Sequence, residues 1–161
     1  MSAIDPARPD IAAFMSAASS ALGRPLPAPK DVFHFGGSSP ALANERLELA
    51  IQGKKTATTS WPVPDPLYWG VGDLSVILNG SGTPRALMRT TSFVQCRFRE
   101  VDEEFALAEA EGDYEAYRAG HIAFYQGQED GEAFGDDSIV LCERFEVIYS
   151  VEGTSEQGKA G

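Results

Sequence analysis

Histidine and cysteine are scarce in this chain. Of its 161 residues, two are histidine (His34 and His121) and two are cysteine (Cys96 and Cys142). Two histidines exclude a multi-histidine metal centre. The cysteines lie in separate strand-like runs with no metal-ligand spacing, and they are expected as reduced, buried thiols. There is no phosphate-binding P-loop, no dinucleotide fingerprint, no Gly-x-Ser-x-Gly elbow and no His-Glu-x-x-His pair. No apolar run approaches the roughly 20 residues of a membrane span. The start, Met1-Ser2-Ala3-Ile4-Asp5-Pro6, lacks the basic and apolar regions of a secretory signal. A cytoplasmic protein with no cofactor, no metal and no membrane partner is the expectation.

Positive charge is also in short supply. Thirteen Lys and Arg against 24 Asp and Glu leave a net charge of −11. Such a balance argues against a broad surface for nucleic acid, which needs net attraction to phosphates. The imbalance is regional. From Glu100 to Glu146 fifteen acids meet two bases, whereas from Lys30 to Arg99 eight bases meet five acids. A local basic pocket for a small ligand or a single nucleotide is compatible with that distribution. A hydrophobic content of 43% and this length suit one soluble domain with a proper core.

Local signals divide the chain. Residues 1–9 read as flexible. Asp10 is positioned to cap a helix over Ile11–Leu22 that stops at Gly23, and the proline-rich run Arg24–Pro29 reads as a linker, so residues 1–30 form an add-on packed on the main domain, residues 31–151. Ser38 or Ser39 followed by Pro40 starts a second helix that runs to about Gln52. Gly53 is placed to end it in the left-handed conformation. Three threonines and a serine among residues 56–60 then favour extended structure. The segment Trp61–Gly70 carries three prolines within five residues and must be a loop. Its aromatics either plug the end of the fold or offer a face on which a base stacks. Leu74–Leu78 reads as a strand, Asn79–Gly82 as a hairpin turn, and Arg85–Phe98 as one bent strand or two short ones. Asp102 and Asp113 each cap a helix, ending near Ala110 and Tyr125. Gln126–Asp137 is a loop, Ser138–Val151 a long closing strand, and residues 152–161 a disordered tail. Strand runs with interspersed helices predict an α+β fold, a small, mostly antiparallel β-barrel flanked by helices.

Within this frame the pair Lys54-Lys55 sits at a sharp helix-to-strand junction beside a row of hydroxyls. A partly desolvated lysine there could activate a threonine oxygen; a solvated capping turn is the plainer reading. Glu109, Glu111 and Asp113 could hold a hard cation, though acids at helix starts are more simply explained by the helix dipole. On the last helix Tyr114, Tyr117, His121, Phe124 and Tyr125 recur at helical spacing, and Arg118 shares the side of Tyr114.

The run Gly53-x-Lys55-x-x-Thr58 resembles the signature of the ASCH domain family, which is similar in fold to the PUA domains of RNA-modifying proteins. Phe33-His34-Phe35-Gly36, Gly70-Val71-Gly72-Asp73, Ala108-Glu109-Ala110-Glu111-Gly112-Asp113 with Arg118 and His121, and Cys142-Glu143-Arg144-Phe145-Glu146 follow the same order as in a longer bacterial branch. The resemblance spans Phe33 to Val151. It implies a PUA-like barrel and a nucleoside, nucleotide or short RNA as partner. Some members that this chain resembles remove an acyl group from N4-acylated cytidine. The resemblance then implies Thr58 as nucleophile, Lys55 as proton acceptor or oxyanion partner and Glu111 as proton shuttle to the leaving amine. The residues expected to form the substrate-binding surface are Ser60, Trp61, Tyr68, Trp69, Asp113, Arg118 and His121. Gly112-Asp113 directly after the glutamate departs from the deacylase members. A ribonuclease and a non-catalytic RNA- or nucleotide-binding module are the alternatives.

Overall fold

A computed structural model describes residues 4–128 and 133–152. The expected tail, apart from Glu152, and part of the expected loop 126–137 lie outside the described residues. Five strands form one sheet: β1 (Asp31–Phe33), β2 (Ala57–Ser60), β3 (Leu74–Leu78), β4 (Pro84–Arg97) and β5 (Ile139–Ser150). Their spatial order is β1-β3-β4-β5-β2, so β1 and β2 are the edges. β1 runs parallel to β3, and the other three pairings are antiparallel. The expected barrel is therefore corrected to an open sheet, because β1 and β2 do not pair with one another. The span expected as one bent strand or two is the single strand β4. Its pairing with β5 shifts register twice: Thr91 is the extra residue on β4 between Thr90 and Ser92, and Ile148 is the extra residue on β5 opposite Leu87 and Met88, and an extra residue kinks the strand that carries it.

Among the described residues four α-helices accompany the sheet: α1 (Pro9–Leu22), α2 (Pro40–Ile51), α3 (Glu103–Ala108) and α4 (Tyr114–Gln126). The caps follow the local chemistry closely. Ser39, Asp102 and Asp113 each accept a hydrogen bond from a backbone N–H of the first turn of α2, α3 and α4, at Leu42, Phe105 and Ala116. The first helix departs from expectation: it begins at Pro9, and Asp10 lies in its first turn rather than capping it.

One face of the sheet carries Leu74, Val76 and Leu87, which pack on Ile11, Phe14 and Ala18 of α1. Farther along, Ala57, Val140 and Cys142 meet Phe105, Tyr117 and Tyr125 of α3 and α4. The opposite face carries Ile77, Ala86, Met88 and Phe145 against Leu47 of α2 and against Phe35, which follows β1. The sheet curls around this second face. Asp31 on β1 and Glu143 on β5 are three strands apart, about 14 Å on a flat sheet. Yet the adjacent residues Tyr68 and Trp69 hydrogen-bond Asp31 and Glu143 respectively. The loop between β2 and β3 thus lies across a concave surface that the sheet itself leaves open.

Candidate functional site

The site begins with the end of α2. The Gly53 N–H donates to Ala50 O and the Lys54 N–H to Leu49 O, with Gly53 at φ +79°. These two bonds satisfy the last helical carbonyls and reverse the chain. The Lys55 N–H also donates to Leu49 O. The reversal turns the Lys55 side chain inward, and it is 1% exposed. A solvated capping lysine is thereby excluded.

α3 ends opposite. Ala108 O accepts from the Thr56 N–H at 2.8 Å, tying the helix end to the start of β2. Ala110 adopts φ +60° and Gly112 φ +96°, so the chain doubles back and directs Glu109 and Glu111 at the same lysine. Lys55 Nζ lies 3.4 Å from Glu109 Oε1 and 3.5 Å from Glu111 Oε2. It also donates to Ala57 O at 3.0 Å and Glu109 O at 3.2 Å. On its other side stands the Phe35 ring, 5.0 Å away. Glu109 is 1% exposed, whereas Glu111 reaches the rim and meets Arg46 at 3.4 Å.

α4 completes the cluster through residues one turn apart. The Thr59 hydroxyl donates a short hydrogen bond to Glu109 and shares another with the Tyr117 hydroxyl at 2.8 Å. The Tyr125 hydroxyl donates to Thr59 O at 3.0 Å. His121 Nε2 is 3.4 Å from Glu109 Oε1, and its Nδ1 bonds Tyr117 O. Burial pushes the Glu109 carboxyl up, but Lys55 and the His121 and Thr59 hydrogen bonds outweigh it and hold the group below its usual range. Burial pushes His121 down, but Glu109 and Glu111 more than compensate, so its imidazole holds a proton more readily than usual. Burial, with the Glu109 charge behind it, keeps the Tyr117 hydroxyl protonated.

A metal ion would look first to Glu109, Glu111 and His121, whose ligand atoms lie within 4.8 Å of one another. The Lys55 ammonium already sits on both carboxylates, so a divalent cation would meet a like charge there. Asp113, expected beside these acids, is an exposed helix cap instead.

The residues singled out from the sequence separate into three groups. Lys55, Glu111 and His121 come together. Thr58 does not join them on the same side of β2. Alternation sends Thr58 and Ser60 to the face opposite Thr59, and Thr58 lies directly across from Glu143 in the β2–β5 pairing. Among the described residues its hydroxyl has no hydrogen-bond partner. Tyr68 and Trp69 lie over that second face, with ring centroids 4.7 Å apart. The third group has structural roles. Trp61 packs against Tyr125 and Phe134 as a plug. Arg118 lies over the Phe98 ring and pairs with Asp136 at 2.7 Å.

Thr59 and Arg46 are members that sequence reasoning missed; Glu109 was read only as a cation ligand or a helix-start acid, and Tyr117 only as part of an aromatic helix side. Thr59 was legible in principle, because Lys55, Ala57 and Thr59 share one side of an extended chain. An open depression of about 840 Å³ lies between the proline-rich loop and the ends of β4 and β5, lined by Trp61, Leu67, Gln95 and Ile139 among others. It includes neither Lys55 nor Glu111.

The ASCH domain family model matches residues 31–149. Comparison with curated proteins finds no match. Among solved structures, a protein of Enterococcus faecalis V583 is similar at 25% identity and a TM-score of 0.76, over 89% of this chain and 97% of that one. The ASCH domain of Lactobacillus crispatus JV V101 is similar at 23% identity and a TM-score of 0.77, over 88% and 96%. An ASCH protein of Zymomonas mobilis shares the fold more distantly, at 12% identity and a TM-score of 0.50 over 80% and 78%. No helix among the described residues is long and apolar enough to cross a membrane.

Proposed function

We propose, for a chain that belongs to the ASCH domain family, a hydrolase that binds a nucleoside- or RNA-derived ligand on a PUA-like scaffold and cleaves an amide such as that of an N4-acylated cytidine. The observation that carries this reading is the buried Lys55 ammonium between Glu109 and Glu111. A buried ion pair is a poor source of stability compared with apolar packing. Its presence beside a rim carboxylate, an imidazole and an arginine is what a site for chemistry requires.

Lys55 bonds Ala57 O, on the edge of β2 that no strand covers, and it touches Phe35, which belongs to the concave face. Its charge therefore acts at the border between the two faces. In this reading an acyl group lies along that edge. The unengaged Thr58 hydroxyl attacks the acyl carbon, and Lys55 stabilises the oxyanion that forms. Glu111, on the rim 3.5 Å from Lys55, takes the hydroxyl proton through one water that crosses the edge, because Thr58 faces the other side, and returns it by the same route to the leaving amine as the C–N bond breaks. Water then hydrolyses the threonyl ester. Thr59 is already committed to Glu109 and Tyr117 and serves to hold the cluster.

Release of cytidine and acetate from N4-acetylcytidine tests the reading. The wild type is expected to turn over, and Thr58→Val and Glu111→Gln are expected to lose at least a hundredfold in kcat. Unchanged turnover in either variant overturns the assignment. A second reading, binding of a nucleotide or RNA end without chemistry, is favoured by Tyr68 and Trp69, half-buried over the polar concave face. It expects ligand binding by a wild type that releases no product.

A further inference from the structure

Glu143 is the buried acid that the mechanism above leaves unused. It is 3% exposed. Its Oε2 accepts from the Thr90 hydroxyl at 2.6 Å and from the Trp69 indole N–H at 3.3 Å. Its Oε1 has no hydrogen-bond partner among the described residues, and no cation there lies within ion-pair distance. A carboxylate oxygen buried without a donor is rare enough to require a reason. Two half-buried aromatic rings flank it: Trp69 and Phe93, whose centroids are 6.1 Å apart, with Phe93 directly across from Glu143 in the β4–β5 pairing. Thr58 lies across from Glu143 on the other neighbouring strand, β2. Directly opposed side chains in antiparallel strands stand about 5 Å apart at Cβ.

We infer that Glu143 Oε1 is the acceptor for an exocyclic N–H of a planar heterocycle stacked on Trp69, which makes this carboxylate the specificity element for amino-bearing bases over their carbonyl counterparts. The inference rests on the proposed function for one point, that such a ligand extends from Thr58. The rest follows from the chemistry of the surface. An apolar ring face recognises any planar ring, and the surroundings of Glu143, with no cation within ion-pair distance among the described residues, do not select for phosphate. A carboxylate oxygen accepts hydrogen bonds and, ionised, donates none. Burial pushes Glu143 up, against the hydrogen bonds from Thr90 and Trp69, and the charge of Asp31 pushes in the same direction as burial. A third donor on Oε1 would relieve that cost. Cytosine presents such a donor where uracil presents a carbonyl.

The position of Oε2 makes the substitution diagnostic. Two donors pin that corner, so in Glu143→Gln the amide oxygen must occupy it and the amide NH2 must replace Oε1. An acceptor becomes a donor with little change of shape. Calorimetric titration with cytidine and uridine is the test. The wild type is expected to bind cytidine at least tenfold more tightly than uridine, and Glu143→Gln to reverse the order. Equal affinities in the wild type, or an unchanged preference in Glu143→Gln, overturn the inference. Should Glu143→Gln fail to fold, Trp69→Phe keeps a ring but removes the N–H that orients Oε2. It is expected to narrow the cytidine preference at least threefold, and an unaltered preference there is equally fatal. Cytidine selectivity without N4-acetylcytidine turnover would sink only the hydrolase reading. Wild-type turnover of N4-acetylcytidine by a folded Glu143→Gln with unaltered base preference would sink only this one.

Discussion

Lys55 and Glu109 form an ion pair in which both side chains are 1% exposed and Nζ lies 3.4 Å from Oε1. Their backbones are 54 residues apart in sequence. A junction turn at the end of α2 and a left-handed residue after α3 bring them together.

Removing one partner of such a pair strands the other. Lys55→Met is expected to destabilise the fold by about 3–5 kcal/mol, because Glu109 is left charged and buried without its ammonium partner. The double variant Lys55→Met with Glu109→Gln is expected to recover much of that loss. Urea unfolding midpoints of the three proteins check both statements. Lys55→Ala is for the same reason a poor probe of catalysis.

The two neighbouring threonines offer a cleaner separation of stability from activity. Thr59→Val removes a donor from a buried carboxylate and a partner from Tyr117, at a cost of about 1–3 kcal/mol. Thr58→Val removes a hydroxyl with no partner among the described residues and is expected to shift stability by less than about 0.5 kcal/mol. Thermal melts measured alongside N4-acetylcytidine turnover should show the stability loss in Thr59→Val and the activity loss in Thr58→Val.

The pH dependence of stability follows from two shifts of opposite sign. Glu109 sits below its ordinary value of 4.5. Its contribution is present above that value and is lost as the pH falls through its lower folded-state pKa. His121 sits above its ordinary value of 6.5. Its contribution is full below that value and is lost as the pH rises through its higher folded-state pKa. Stability from this cluster is therefore expected to be greatest between about pH 4.5 and 6.5. Urea midpoints across pH 3–9 test this, and His121→Asn is expected to remove the alkaline decline while leaving the acid limb in place.

Glu143 works the other way. Its folded-state pKa is raised, chiefly by burial, so its ionisation costs stability as the pH rises past its unfolded value. Glu143→Gln is expected to be more stable than the wild type at pH 8 and equal to it near pH 3. Unfolding midpoints at those two values decide the matter. A residue that costs stability at working pH fits a group retained for recognition rather than for the fold.

Much of this protein was legible in the sequence because the relevant forces act within a single turn of chain. Ser39, Asp102 and Asp113 cap helices, and Gly23 and Gly53 end them, wherever the rest of the molecule lies. The motif around Lys55 and Thr58, with Glu111, was legible through resemblance. What the tertiary structure alone decided was which side chains share an environment. Glu109 and Glu111 are alike in sequence, but the turn at Ala110 buries one and leaves the other at the rim. Thr58 and Thr59 are alike too, yet strand alternation gives one to the Lys55 cluster and the other to the concave face. Glu143 lies in an alternating strand pattern, and only the packing of the sheet and the loop laid across it bury that carboxylate. Local geometry is set by neighbours in the chain. Burial and charge are set by neighbours in space, and those neighbours arrive only when the chain has folded.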